Sequence, residues 1–343
     1  MLVGARLMKR SLAWTTFALC FVLQSTAGAY ESVTGPLAQK LTGSPPAISV
    51  GGKNAQEIKD KMKSGAIKRV VPPATVPEGV EATMDIEYGK GGKTPLLLDL
   101  FQPKEIKQPV PGLIFVHGGS WSRGTRKVYD FYCEHFAKNG YVAATIEYRL
   151  SGAAPFPAAI QDVKCAIRWM RANAAKLGVD PHKIGLAGGS AGGHLVLLAA
   201  YANTDDPELE GTGGNPGVKS RVQAVVDLYG PVLLTGRKTG SVVKFMGGKS
   251  SDEAPALYAK ASPILHLTKD APPTLILHGT VDELVAISQS DMLAAKLGDL
   301  GVPYLYDRQA GWHHAMDAVA EVNVRCVWMM DQFFAQVLPL PTK

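Results

Sequence analysis

The 343-residue chain is poor in cysteine, with four residues in all, too few for a disulfide scaffold. Charged residues are only 19% of the chain against 46% hydrophobic, which excludes a disordered or fibrous protein. His-Glu-x-x-His, paired Cys-x-x-Cys and an acidic calcium loop are all missing, so no metal and no cofactor is implied. Gly248-Lys249-Ser250 mimics the tail of a phosphate loop, but Val243 stands where that loop needs its first glycine. No internal repeat is visible. The net charge is +6, yet it is concentrated at one end. Residues 1–29 hold Arg6, Lys9 and Arg10 and no acid, and residues 30–75 hold seven Lys and Arg against Glu31, Glu57 and Asp60. The rest of the chain is close to neutral, which leaves no footprint for nucleic acid.

What is present begins with an address. Arg6, Lys9 and Arg10 precede an apolar run over residues 12–23, followed by Ala27-Gly28-Ala29. This is the pattern of a secretory signal peptide, with Tyr30 as the expected first mature residue. The apolar run is too short to span a bilayer comfortably, so secretion or periplasmic export is expected, with no stable membrane anchor. Cys133, Cys165 and Cys326 remain, an odd number, so at least one thiol is free or pairs outside the chain. Cys165 and Cys326 lie among apolar residues at helical spacing and read as small buried hydrophobes. Residues 30–75, with Gly-Ser-Pro-Pro at 43–46 and Pro72-Pro73, show no sustained apolar pattern and are expected to form a loosely ordered basic extension.

From residue 76 the chain alternates. Residues 80–88 and 96–101 read as a hairpin turning at Gly91-Gly92, and strands follow at 113–116, 141–148, 183–187, 222–229, 274–278 and 302–306. Helices are expected at 129–138, 158–177, 191–201, 286–297 and 319–338. A leading antiparallel pair followed by alternating strand and helix predicts an α/β fold, a mostly parallel eight-stranded sheet with helices on both faces. In such a sheet functional residues collect at the carboxyl ends of strands.

Gly188-Gly189-Ser190-Ala191-Gly192-Gly193 follows one strand and opens an apolar helix. Gly188-x-Ser190-x-Gly192 fits a nucleophile elbow, in which side chains two positions either side of the serine would clash with the neighbouring strand and helix. The Ala191 N–H then sits at the positive end of that helix, able to donate to an oxyanion. His117-Gly118-Gly119-Ser120-Trp121 follows another strand, and its small residues bare backbone N–H groups. Gly119 and Ser120 are the expected oxyanion donors, and His117 is expected to order the loop. Trp121 is assigned to the substrate pocket, with plain packing as its alternative. A serine needs an imidazole to take its proton and a carboxylate to orient that imidazole. Asp282 and then His313-His314 occupy the next two suitable strand ends, in the order Ser, Asp, His. Glu283 is the alternative acid, and spacing does not choose between the two histidines.

Together, His-Gly-Gly-x-Trp, Gly-x-Ser-Ala-Gly-Gly-His, His-Gly-x-x-Asp-x-x-Val and the late Gly-x-x-His resemble the α/β-hydrolase esterases. The resemblance runs over about residues 80–338 and is closest to the hormone-sensitive-lipase-like and bacterial feruloyl-esterase-like branch. It implies a triad of Ser190, Asp282 and His314, since the family histidine stands three residues after a glycine, here Gly311. Asp162 and His194 match family positions that look structural. Ser120 replaces the third glycine of lipase-like members, which favours acetyl or feruloyl esters of a small molecule or a polysaccharide. Residues 231–263 are expected to form a cap. The competing readings are an exported peptidase or amidase, an arylformamidase-like hydrolase, and an inactive hydrolase-fold binding protein.

Overall fold

In residues 110–116 every side chain is buried, and neighbours face opposite ways: Leu113 and Phe115 join one core, Ile114 and Val116 another. A strand apolar on both faces needs cover on both, and the rest of the architecture supplies it. The protein is described by a computed structural model covering residues 32–72, 75–202 and 204–342. The residues read as a signal peptide lie outside the described residues.

In chain order the elements are β1 (Val33–Thr34), α1 (Ala55–Lys63), β2 (Val80–Gly91), β3 (Thr94–Pro103), β4 (Val110–Val116), α2 (Asp130–Lys138), β5 (Val142–Ile146) and α3 (Ala158–Ala172). There follow α4 (Ala174–Leu177), β6 (Val179–Gly189), α5 (Ala191–Tyr201), α6 (Pro207–Glu210), β7 (Ala224–Leu228), α7 (Gly240–Phe245) and α8 (Pro255–Lys260). The chain ends with β8 (Thr274–Gly279), α9 (Ser288–Asp299), β9 (Tyr304–Gln309) and α10 (Ala320–Val337). The strands form one 9-stranded sheet in the order β1-β9-β8-β7-β6-β4-β5-β3-β2. From β5 to β9 the neighbours are parallel, whereas β2 with β3, β3 with β5 and β1 with β9 are antiparallel. Residues of α3, α5 and α9 fill the core on one face, and those of α2 and α10 the core on the other.

The expected eight strands are β2 to β9, and the ninth is β1, from the segment expected to be loose. That expectation is corrected for the described part of residues 30–75. Val33 pairs with Asp307 on β9, and Ile58 of α1 is fully buried in the α10-side core. Asn54 caps α1 by accepting from the Glu57 N–H at 3.0 Å, while the Glu57 carboxylate accepts from the Lys53 N–H one residue before the cap at 2.8 Å, two bonds that fix the first turn. Sparse apolar residues and backbone bonding give this segment no periodicity to read. A second difference concerns the helix expected over 158–177. It breaks at Asn173, whose side-chain amide donates to the Trp169 carbonyl at 2.9 Å and competes with the helical ladder. Residues 231–263 carry α7 and α8. Cys133, Cys165 and Cys326 are free and buried.

Candidate active site

Ser190 sits between β6 and α5 with φ 56° and ψ −119°, a sparsely populated conformation for any residue with a side chain, costing about 1–3 kcal/mol. The surroundings hold it there. Its N–H donates to Leu228 on β7 at 2.8 Å, and its carbonyl accepts from the His194 N–H at 2.9 Å. A Cβ on Gly188 would lie 2.6 Å from the Gly192 backbone, and one on Gly192 would lie 2.0 Å from the Val116 carbonyl oxygen. The turn is therefore wedged against β4, and its serine is lifted above the sheet.

His314 comes from the loop after β9. Its Nε2 accepts from the Ser190 hydroxyl at 2.8 Å, and its Nδ1–H donates to Asp282 Oδ2 at 2.6 Å. The ring packs edge-on against Tyr229, centroids 4.8 Å apart. His313 does not join this chain: its Nδ1 is buried with no partner among the described residues, and burial pulls its pKa down. Asp282 follows β8. Its Oδ1 accepts from the N–H groups of Leu284 and Val285 at 2.8 and 2.9 Å. Burial pushes its carboxyl up, but hydrogen bonds from His278 and His314 outweigh that and hold it well below the ordinary range. Glu283 points outward and pairs with Lys59 at 3.8 Å.

Sequence reasoning passed over His278 as a functional group. The ring is fully buried on β8, with Nε2 3.1 Å from Asp282 Oδ2 and Nδ1 2.7 Å from the Ser290 hydroxyl. Its signal was the His-Gly-x-x-Asp pattern itself, where the histidine stands four residues before the acid. A buried Asp317 was also passed over. It accepts from the hydroxyls of Tyr229 and Tyr132, the latter at 3.4 Å, and belongs to the loop that carries His314.

The loop after β4 stands against the nucleophile, since a Cβ on Gly118 would lie 3.2 Å from Ser190 Cβ. Gly119, Ser120 and Trp121 have φ 117°, 54° and 55°. Among the described residues the N–H groups of Gly119, Ser120 and Ala191 have no backbone or side-chain acceptor. His117 is held inside this loop, with Nδ1 donating to the Gly118 carbonyl at 2.7 Å and the ring stacked on Tyr148. A cleft of about 330 Å³ opens here, lined by Gly118 to Ser120, Arg123, Val128, Tyr129, Tyr229, Leu284 and His314 among others.

Trp121 does not line that cleft, which corrects the expectation that it binds substrate. It is buried, stacked on Phe245 of α7 at 4.6 Å, and its indole N–H donates to His194 Nδ1 at 3.2 Å. His194 in turn donates from Nε2 to the Ala261 carbonyl at 2.7 Å, and burial drives its pKa down to about 4. A neutral ring of this kind ties the helix after the nucleophile to residues 231–263. Asp162 clamps Arg149 through both carboxylate oxygens, at 2.7 to 3.0 Å, a structural role. Among the described residues no group of three or more His, Cys, Asp or Glu is arranged to hold a metal.

A serine on a strand–helix elbow, with an acid and a histidine delivered by later strand ends of a mostly parallel sheet, defines an α/β-hydrolase. The chain belongs to the BD-FAE family, whose sequence profile matches residues 98–297. Among curated relatives, Esterase LipQ of Mycobacterium tuberculosis is 36% identical over 71% of this chain, and Esterase LipC of the same organism 35% over 59%. These alignments span 60% and 52% of the relatives' own lengths. Among solved structures, native Est2 esterase of Thermogutta terrifontis superposes with TM-score 0.67 at 26% identity, covering 82% of this chain and 99% of that one. A truncated carbohydrate esterase from gut microbiota gives TM-score 0.65 at 28% identity, covering 76% and 99%.

Proposed function

We propose that the protein is a serine carboxylic-ester hydrolase. The observation that carries this reading is the unbroken chain from Ser190 Oγ to His314 Nε2, 2.8 Å, and from His314 Nδ1 to Asp282 Oδ2, 2.6 Å. Ser190 attacks the ester carbonyl carbon as His314 takes its proton, and Asp282 stabilises the imidazolium. The carbonyl electrons move onto oxygen, where the N–H groups of Gly119 and Ala191, with Ser120 beside them, donate. Collapse expels the alcohol, which receives the proton from His314, and leaves an acyl-serine. Water, deprotonated by the same histidine, then releases the acid.

The relatives named as esterases and the carbohydrate esterase neighbour support ester substrates. A cleft of about 330 Å³ suits short acyl groups or a single aromatic ring better than a long chain. We assign acetyl, other short-chain or feruloyl esters, including those of plant or algal polysaccharides. Export rests on the pattern in residues 1–29.

The test is hydrolysis of p-nitrophenyl acetate, butyrate and palmitate, methyl ferulate and acetylated xylan by the parent and by Ser190→Ala. Short-chain or feruloyl turnover that falls at least about 10³-fold in kcat in the variant is expected. Near-parental turnover in the variant overturns the reading, and a parent active on an anilide but on no ester makes it an amidase.

A further inference from the structure

The loop that carries His314 is gripped from outside by one strap of chain. Upstream of the histidine, Gly51 and Gly52 donate their N–H groups to the carbonyls of Ala310 and Gly311 at 3.4 and 2.8 Å, and the Trp312 indole donates to the Ser49 carbonyl at 3.0 Å. Downstream, Val70 donates to Ala318 and Ala320 donates to Lys68, both at 2.9 Å, around an antiparallel bridge between Arg69 and Val319. The acid loop is touched as well, through the Lys59–Glu283 pair.

The fit is close enough to transmit position. A Cβ on Gly51 would lie 2.3 Å from the Gly311 carbonyl oxygen, and Gly311 itself has φ +71° with its missing Cβ facing Gly52. The strap has anchors outside the loop, because the Ser49 hydroxyl donates to Glu321 on α10 at 2.6 Å and Arg325 of the same helix donates to the Pro46 carbonyl at 2.9 Å, while Lys61 Nζ braces it internally by donating to the Gly51 carbonyl at 2.6 Å. From inside, the same loop is held by the Val281 N–H to the Trp312 carbonyl at 3.1 Å and by the hydroxyls on Asp317. The loop is thus pinned between the body of the protein and the strap.

We propose that residues 49–70 are a positioning element for His314, fixing the 311–320 loop so that the ring stays between Asp282 and Ser190. The proposal rests on the reading of His314 as the general base. A misplacement of about 1 Å in a reacting group costs on the order of 10²-fold in rate. None of residues 49–70 lines the cleft, so loosening the strap acts on kcat and leaves substrate binding alone.

The experiment uses the full chain with p-nitrophenyl acetate, normalising kcat to sites titrated with a fluorophosphonate. Gly51→Ala presses on the Gly311 carbonyl, and Val70→Pro deletes one N–H on the far side of the loop. Each should lower kcat per titrated site at least about 10-fold with KM within about 3-fold, and Lys107→Ala, exposed on the connection between β3 and β4 and outside the strap, should match the parent. Parental kcat per site in both variants, even with a lower melting temperature, overturns the proposal. Where neither variant folds, the parent decides: in mild urea, hydrogen exchange at Val70 and Ala320 and loss of turnover should advance together, ahead of exchange in β4 to β7. Turnover that outlasts the opening of those two amides overturns it equally. Full activity in Ser190→Ala, by contrast, defeats the esterase reading and not the strap.

Discussion

His278 Nε2 stands 3.1 Å from Asp282 Oδ2 and 2.9 Å from the Val285 carbonyl. Both neighbours are acceptors, so that nitrogen carries a proton. The ring fastens the acid to the turn beyond it, and the acid orients His314. His278→Phe should therefore lower kcat about 10- to 100-fold with little change in KM, and His278→Gln, which keeps a donor, should recover part of the loss. A phenylalanine variant with parental kcat would remove His278 from any positioning role.

Trp121 makes the opposite prediction. Trp121→Phe preserves the stack on Phe245 but strands His194 Nδ1, so about 1–3 kcal/mol of stability should be lost. KM across an acyl series should stay within about 2-fold, because the ring is not part of the cleft wall. Thermal unfolding and KM measured side by side check this, and a selective rise in KM for one acyl length would return Trp121 to the substrate pocket.

Asp227 on β7 is fully buried; its Oδ1 accepts from the Gly230 N–H at 2.8 Å, and burial pushes its pKa up to about 8. A carboxyl raised in the folded state stabilises that state fully below its ordinary value near 3.8 and loses the contribution as pH rises through 8. Asp227→Asn keeps the acceptor and abolishes the titration. The melting temperature of the variant relative to the parent should therefore rise between pH 5 and pH 8.5. A pH-independent difference speaks against a buried neutral acid.

Gly192→Ala places a methyl group 2.0 Å from the Val116 carbonyl oxygen, which belongs to a central strand and does not yield. The expected outcome is loss of soluble folded protein, read by expression yield and near-UV circular dichroism. A well-folded, active variant would mean the elbow is looser than its contacts indicate.

The turn at Ser190, the strand end carrying Asp282 and the alternation of strand and helix were legible in the sequence because each rests on local chemistry: glycines where a Cβ has no room, and polar residues just past apolar runs. The choice of His314 over His313 was not legible from spacing, since adjacent residues differ only in which way each points, and the family pattern was needed. Trp121 failed for a related reason. A motif fixes that the tryptophan follows the glycines, but its φ of 55°, which turns the indole toward Phe245 and His194, belongs to the folded loop. Residues 49–70 stayed opaque because their bonds to the histidine loop run largely through backbone atoms, which leave no mark on residue type.

Cys133, Cys165 and Cys326 are each fully buried and unbridged, and burial pushes every one of these thiols upward, away from the reactive thiolate. In the folded domain none of these three thiols presents a thiolate to an oxidant, and among the described residues the fold stands without a bridge that a reductant could break.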